Sequence, residues 1–235
     1  MSVRYNPQIV TNGLLLCLDA GNAKSYIGSG TTWNDLSGRN NIGTLTNGLT
    51  YSNASGGSIM FDGVDDYINI SPTNFNLSTF SINVWFKSLN TSSNNLRLIH
   101  KADTSGSTKG FLIANSAIDG KMVFGYQASY TTNEILKRST VLISQNTWYC
   151  VTMTYSGSSG IKIYFNSIED TGESSTSPDI GWTSSSGNFF SVGSVASGDA
   201  YFYDGSISQI SIYNKVLTSQ EVRQNFNALR GRFGI

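Results

Sequence analysis

From residue 57 onwards, apolar residues fall at every second position in short runs separated by turn-forming stretches. In FSINVWFK (80–87), Phe80, Ile82, Val84 and Phe86 share one side of an extended chain. Ser81, Asn83 and Lys87 take the other side, where Trp85 interrupts them. WYCVTMTY (148–155) sets Tyr149, Val151, Met153 and Tyr155 opposite Trp148, Cys150, Thr152 and Thr154. GIKIYFN (160–166) aligns Ile161, Ile163 and Phe165, and SIMF, YINI, LRLIHK, GFLIAN, KMVFGYQ, NFFSVGS and GSISQISIYN continue the pattern. Successive side chains of a strand point to opposite faces, so this alternation buries one face. Many short strands joined by turns predict an all-β fold, an antiparallel two-sheet jelly-roll sandwich.

The two ends of the chain read differently. Residues 1–12 (MSVRYNPQIVTN) form a polar N-terminal arm, and 13–235 form a single domain that opens on a buried strand, GLLLCLD. Residues 20–48 are rich in Gly, Asn, Ser and Thr, which predicts a long loop, with Tyr26 and Trp33 packing inward to hold it. Near the other end, LTSQEVRQNFNALRG predicts one short helix. Thr218 and Glu221 have the spacing of a capping box, and Leu217 and Val222 that of a hydrophobic staple. Val222, Phe226 and Leu229 make one apolar stripe that seats the helix as a lid on the sandwich, and Gly231 is placed to stop it.

Composition narrows the chemistry. Of the 235 residues only 13% are charged, and the formal net charge is zero, so no clustered basic face marks a nucleic-acid partner. Cys17 and Cys150 lie far apart and predict two buried free thiols rather than a disulfide framework. One histidine and no CxxC leave no zinc signature. No apolar run approaches the roughly 18 residues of a membrane-spanning helix. LLLCL (14–18) is too short for a secretory h-region, so the chain is expected to be made in the cytoplasm without classical export.

Three blocks, LCLDAGNAKSYIGSGTTWNDLSGRNN (16–41), GSIMFDGVDDYINI (57–70) and YFYDGSISQISIYNKVLTSQEVRQNFNALRGRFG (201–234), are individually degenerate. In this order and spacing they resemble the concanavalin A-like lectin/glucanase superfamily, in particular the laminin G-like domains of tailed-bacteriophage virion proteins. The resemblance implies a jelly-roll sandwich that binds glycans or protein surfaces, often with a calcium ion. It does not fix one function.

Asp62, Asp65 and Asp66 crowd into DGVDD, and two readings stand for them. Calcium takes several hard oxygens, which these carboxylates and a glycine-bent backbone can supply. The laminin G-like resemblance implies such an ion at one rim of the sandwich, where Asp19 and Asp204, each at a strand end, would join. The simpler reading is turn chemistry, because Asp-Gly favours turns and Asp side chains bond their own backbone. Catalysis is the weakest fit. Glucanases of this superfamily carry a Glu-x-Asp-x-x-Glu-like run, and Glu134, Glu169, Glu173 and Glu221 are isolated. His100 is expected to be a half-buried strand histidine; no G-x-S-x-G elbow accompanies it.

Aromatic side chains in or beside loops are candidate sugar-stacking faces: Trp182, Tyr126, Tyr130 and Tyr201. Each equally suits inward packing that pins a loop. Together with the resemblance, these residues give an expected role. It is a non-enzymatic virion surface protein, a capsid or tail decoration or head fibre. Its partners are other virion proteins, copies of itself and surface glycans. The alternative is an adhesin module that recognises host polysaccharide.

Overall fold

The computed structural model describes residues 8–71, 75, 77–91, 96–103, 110–115, 120–129, 132–157, 160–175, 188–195, 198 and 200–235. In chain order the strands are β1 Leu14–Asp19, β2 Thr32–Asn34, β3 Ile42–Thr46, β4 Thr50–Ser52, β5 Ser58–Asp62, β6 Tyr67–Ser71, β7 Phe80–Ser88, β8 Arg97–Asp103 and β9 Gly110–Asn115. They continue as β10 Lys121–Ser129, β11 Thr132–Leu142, β12 Trp148–Tyr155, β13 Ile161–Phe165, β14 Ile168–Asp170, β15 Glu173–Ser175, β16 Asn188–Val192 and β17 Asp204–Tyr213. Among the described residues one α-helix, α1, spans Ser219–Leu229.

One sheet runs β14-β13-β12-β7-β17-β5-β4, with β1 also on β17. The other runs β15-β11-β10-β9-β8-β16-β6-β3-β2. Every pairing described is antiparallel; β12 and β7, for example, align residue for residue from Trp148↔Lys87 to Tyr155↔Phe80. The predicted faces meet between the sheets. Phe80, Ile82, Val84, Val151 and Met153 of the first sheet share the principal core with Ile68, Phe111, Ile113, Phe124 and Phe190 of the second. This is the jelly-roll sandwich of the concanavalin A-like fold.

The outer face of the first sheet explains Trp85. Its ring, fully buried, stacks on Phe226 with centroids 5.6 Å apart and on Phe233 at 4.2 Å. Cys150, Trp148 and Leu229 complete that cluster. The helix is the lid that its stripe predicts, and its capping box forms: Thr218 Oγ1 accepts from Glu221 N–H, and the Glu221 carboxylate accepts from Thr218 N–H. Leu217 and Val222 share a second small cluster with Val10 and Leu14. Gly231 does not stop the helix. After Leu229 the chain tightens into a 3-10 turn over Arg230–Arg232, capped from Phe233 N–H to the Arg230 carbonyl.

Other expectations are refined. The stretch 20–48 holds two short strands, β2 and β3, besides its loops. Tyr26 and Trp33 are buried there as expected. His100 is fully rather than half buried, and burial, followed by the nearby Arg97 charge, pushes its pKa well below the usual value. Both thiols are free and buried, and burial raises Cys17 to about 11 and Cys150 to about 12. Within the arm, Val10 N–H donates to Asn225 Oδ1 at 2.8 Å and Gln224 Nε2 to the Gln8 carbonyl, so residues 8–10 lie against the chain's own helix. Among the described residues no helix is long and apolar enough to cross a membrane.

Candidate functional site

β5 belongs to one sheet and β6 to the other, so the acidic turn between them crosses the rim of the sandwich. Gly63 makes the crossing possible. Its φ is +77°, and a Cβ there would lie 2.9 Å from Asp204 Cβ. β17 starts beside the turn, and its first residue, Asp204, pairs with Asp62 across the ladder. Asp62, Asp66 and Asp204 line one groove of ≈ 370 Å³ with Gly48, Thr50, Met60, Leu89 and Ser206.

Turn chemistry accounts for part of this turn. Asp62 Oδ1 accepts from Val64 N–H at 2.8 Å, an Asx-turn, and Asp66 Oδ2 accepts from Asp62 N–H at 3.0 Å. It does not account for the rest. Ligand oxygens of Asp62, Asp65 and Asp66 lie within 4.8 Å of one another. Asp66 is 3% exposed, and its Oδ1 has no hydrogen-bond partner. Burial raises the Asp66 pKa, with the Asp62 and Asp65 charges adding to the shift. Burial also raises that of Asp204, and the Asp62 charge adds to it. Among the described residues, no Lys or Arg forms an ion pair with any of the four carboxylates. An all-oxygen set with an orphaned buried carboxylate oxygen fits a hard divalent cation such as calcium.

Asp19 does not join them. It faces Gln209, five residues along β17 from the Asp62–Asp204 pair, or about 17 Å at strand rise. Arg232 grips it with two hydrogen bonds of 2.6 and 2.9 Å.

The aromatic candidates divide. Tyr126 is 2% exposed and stacks on Tyr155 at 3.9 Å inside the core, so it offers no face to a ligand. Tyr201 is half-buried at φ +55°, its ring under the Arg97 guanidinium at 5.1 Å. Tyr130 and Trp182 lie outside the described residues.

Thr50, Met60 and Ser206 are site residues that sequence reasoning missed. They sit in one cross-strand row, with Met60 paired to both of the others. The signal for them was Met60 itself, an apolar residue on the exposed phase of SIMFD.

A family model described as the concanavalin A-like lectin/glucanases superfamily matches residues 62–223. The chain belongs to that superfamily. The match begins at the first carboxylate of the acidic turn and ends inside α1. No curated protein sequence matches this superfamily member significantly.

Solved structures share its fold. Domain 4 of AbnA, a GH43 extracellular arabinanase from Geobacillus stearothermophilus in complex with arabinotriose, aligns at TM-score 0.67 and 16% identity, over 90% of this chain and 97% of that one. The binding domain of Paraclostridial Mosquitocidal Protein 1 aligns at TM-score 0.66 and 17% identity, over 93% of this chain and 52% of that one. A botulinum neurotoxin type C structure, whose cell entry is described as dependent on two ganglioside molecules, aligns at TM-score 0.65 and 15% identity, over 94% and 52%. The chain thus spans about half the length of the two toxin structures.

Proposed function

We propose that this superfamily member is a non-catalytic, lectin-like module that binds a glycan in the groove beside the acidic turn. The observation that carries the reading is the lining of that groove. Asp62 and Asp204 offer acceptors, Thr50 and Ser206 offer hydroxyls, and Met60 and Leu89 offer apolar surface, 38% and 49% exposed. Sugars present hydroxyl donors around a C–H face, and sites for them combine a few fixed polar groups with apolar walls. The arabinotriose complex and the ganglioside-dependent toxin, similar in fold, support the class of ligand. The absent Glu-x-Asp-x-x-Glu-like run supports binding without hydrolysis.

The test is a glycan array followed by calorimetry on each hit. Thr50 is exposed on the short strand β4, so Thr50→Trp fills the groove without touching the core. It is expected to weaken binding at least tenfold with an unchanged melting temperature. Unaltered affinity in this variant would place the ligand elsewhere and overturn the reading.

The finer setting proposed is the surface of a tailed-bacteriophage particle. There the protein serves as a capsid or tail decoration or head fibre, held by other virion proteins and by copies of itself. An adhesin module reading host polysaccharide is the second reading. Both settings rest on the resemblance of the three sequence blocks. Mass spectrometry of purified particles separates them: near parity with the shell protein means decoration, a few copies mean an adhesin, and absence removes the setting.

A further inference from the structure

The groove beside the acidic turn is chemically graded, and the grading follows from the ladder. Met60 and Asp62 are both exposed and two residues apart on β5, so they share its outer face at about 7 Å from each other. Ser206 pairs with Met60 and Asp204 with Asp62 on one side, and Thr50 pairs with Met60 on the other. One row is therefore neutral, a thioether between two hydroxyls. The next row is acidic, and Asp65 and Asp66 bring their carboxylates to Asp62. This acidic end lacks a counter-charge. Val64 N–H takes one oxygen of Asp62 and Asp62 N–H one oxygen of Asp66. The other oxygen of Asp66, Oδ1, has no partner although the residue is only 3% exposed, and a buried carboxylate oxygen without a donor is costly. A Cβ at Gly48 would meet nothing nearer than that oxygen, at 4.0 Å, so the space beside it is open. Lys87, paired with Ser206, carries its ammonium over the Trp148 ring at 5.6 Å, on the far side of β7 from β17.

We infer that the groove selects a glycan carrying a free, unacetylated amino group, with the ammonium among the Asp62, Asp65 and Asp66 carboxylates and the sugar ring on Met60. The inference rests on the glycan reading of the groove and narrows it to cationic amino sugars. Three points select the amine. An ammonium has three N–H donors and no acceptor, which suits a cluster made only of acceptors. Its acceptors stand about 4.4–5.2 Å apart when each bond is about 2.7–3.2 Å long and the donors are tetrahedral. The three carboxylates bring oxygens within 4.8 Å of one another. A sugar hydroxyl could donate to Asp66 Oδ1 but would leave the negative charge uncompensated, whereas a bond between ionised partners is roughly twice as strong as a neutral one. N-acetylation removes the charge and leaves one donor of the three. Uronate, sialate and sulfate groups would add negative charge to carboxylates that, among the described residues, no Lys or Arg pairs with. The neutral row then sets where the ring lies, and the acidic row sets which substituent it carries.

The experiment is a glycan array on which amino sugars are displayed both free and N-acetylated, beside uronates, followed by calorimetry of the full chain on the leading pair. Chelator is present throughout, so any preference belongs to the amine. The free amine is expected to bind roughly tenfold more tightly than its N-acetylated twin, and the uronates not at all. Asp66→Asn should abolish that preference. Because Asp66 also holds the Asp62 N–H, Asp65→Asn is the second arm. Its side chain is exposed and Asn47 Nδ2 holds only its main-chain carbonyl, at 3.0 Å, so the turn is kept. The preference in that variant should fall roughly threefold. Glycans bound without regard to the amine, or uronates among the hits, would overturn the inference and leave the glycan reading standing. A preference that survives both substitutions would overturn it as well. No glycan bound at all would overturn the glycan reading, and the inference with it.

Discussion

One edge of β17 meets carboxylates at two places, and the chain treats them in opposite ways. At its start, Asp204 faces Asp62, another acid, with Asp65 and Asp66 close by. Five residues on, Gln209 faces Asp19, and Arg232 from the end of the chain covers that carboxylate with a forked pair. Asp19 also takes a hydrogen bond from Gly21 N–H at 2.9 Å, so a nearly buried charge is satisfied from two sides. Burial of a carboxylate is costly in either place. The fold supplies a guanidinium in one and concentrates negative charge in the other. The turn's own hydrogen bonds use one oxygen each of Asp62 and Asp66, and Asp66 Oδ1 is left without a hydrogen-bond partner. The contrast therefore separates an acid paired across the fold from acids crowded at a turn with no Lys or Arg partner among the described residues.

The sharpest way to break the comparison is to remove the guanidinium. Arg232→Ala leaves Asp19, its side chain only 9% exposed, without its cation and with the Gly21 N–H bond alone. Unpairing a buried ion pair costs about 3 kcal/mol, which lowers the melting temperature by about 6–12 °C for a chain of this size. Urea unfolding of the variant measures it. A loss below about 1 kcal/mol would mean that Asp19 tolerates isolation as readily as the turn does.

A carboxylate elsewhere in the fold sharpens the same point through pH. Asp170 links β14 to β11: Oδ2 accepts from Thr140 N–H and Val141 N–H, and Oδ1 from Thr140 Oγ1 and Gly172 N–H. Burial alone would raise its pKa, but the Thr140 hydroxyl and the three backbone donors outweigh it, and the pKa is lowered. In acid, the unfolded state therefore binds a proton at this position before the folded state does. The stabilisation is complete above the unfolded value near pH 4 and is lost as pH falls through the folded value. Asp170→Asn turns an amide N–H toward backbone donors and should cost about 2 kcal/mol at pH 7. The acid limb of a stability-versus-pH curve should flatten in that variant. An unchanged limb would show that Asp170 is not among the satisfied acids.

Much of this was legible in the sequence, and the limits have physical causes. The alternation in 80–87 and 148–155 predicts which residues reach the core, because strand period is local. The capping box at Thr218 and the Asx-turn at Asp62 are local as well, since each bond spans two or three residues. Trp85 on the polar phase was a sign that something covers that face. The cover, Phe226 and Phe233, comes from the far end of the chain. Asp19 and Arg232 are 213 residues apart, and no spacing rule announces such a pair. β3 was hidden because Gly43 sits among the short polar residues of a loop-like stretch. Its place is set by the side chains of Ile68, Leu18 and Trp33, which a Cβ there would meet at 3.1–3.3 Å. Tyr126 looked like a loop aromatic because GYQASY is turn-like in composition, yet its partner Tyr155 draws it inside.

The smallest effect discriminates best, because its sign tests whether the acidic turn takes up a cation. Asp204→Asn removes one negative charge directly across the ladder from Asp62. Without calcium, the variant should be slightly more stable than the parent, by about 0.5 kcal/mol, because like charges opposite one another on paired strands repel. That corresponds to a rise of about 1–2 °C in melting temperature. If the turn takes up calcium, the cation neutralises the crowding, so with saturating calcium the same substitution removes attraction instead of repulsion, and the gain should vanish or reverse. Glu169→Gln, which unpairs the exposed Lys162 on β13, is the control and should shift melting equally with and without calcium. If Asp204→Asn also behaves alike in both conditions, the charge at the start of β17 is indifferent to a cation. The two ends of the comparison would then differ only in their hydrogen bonds.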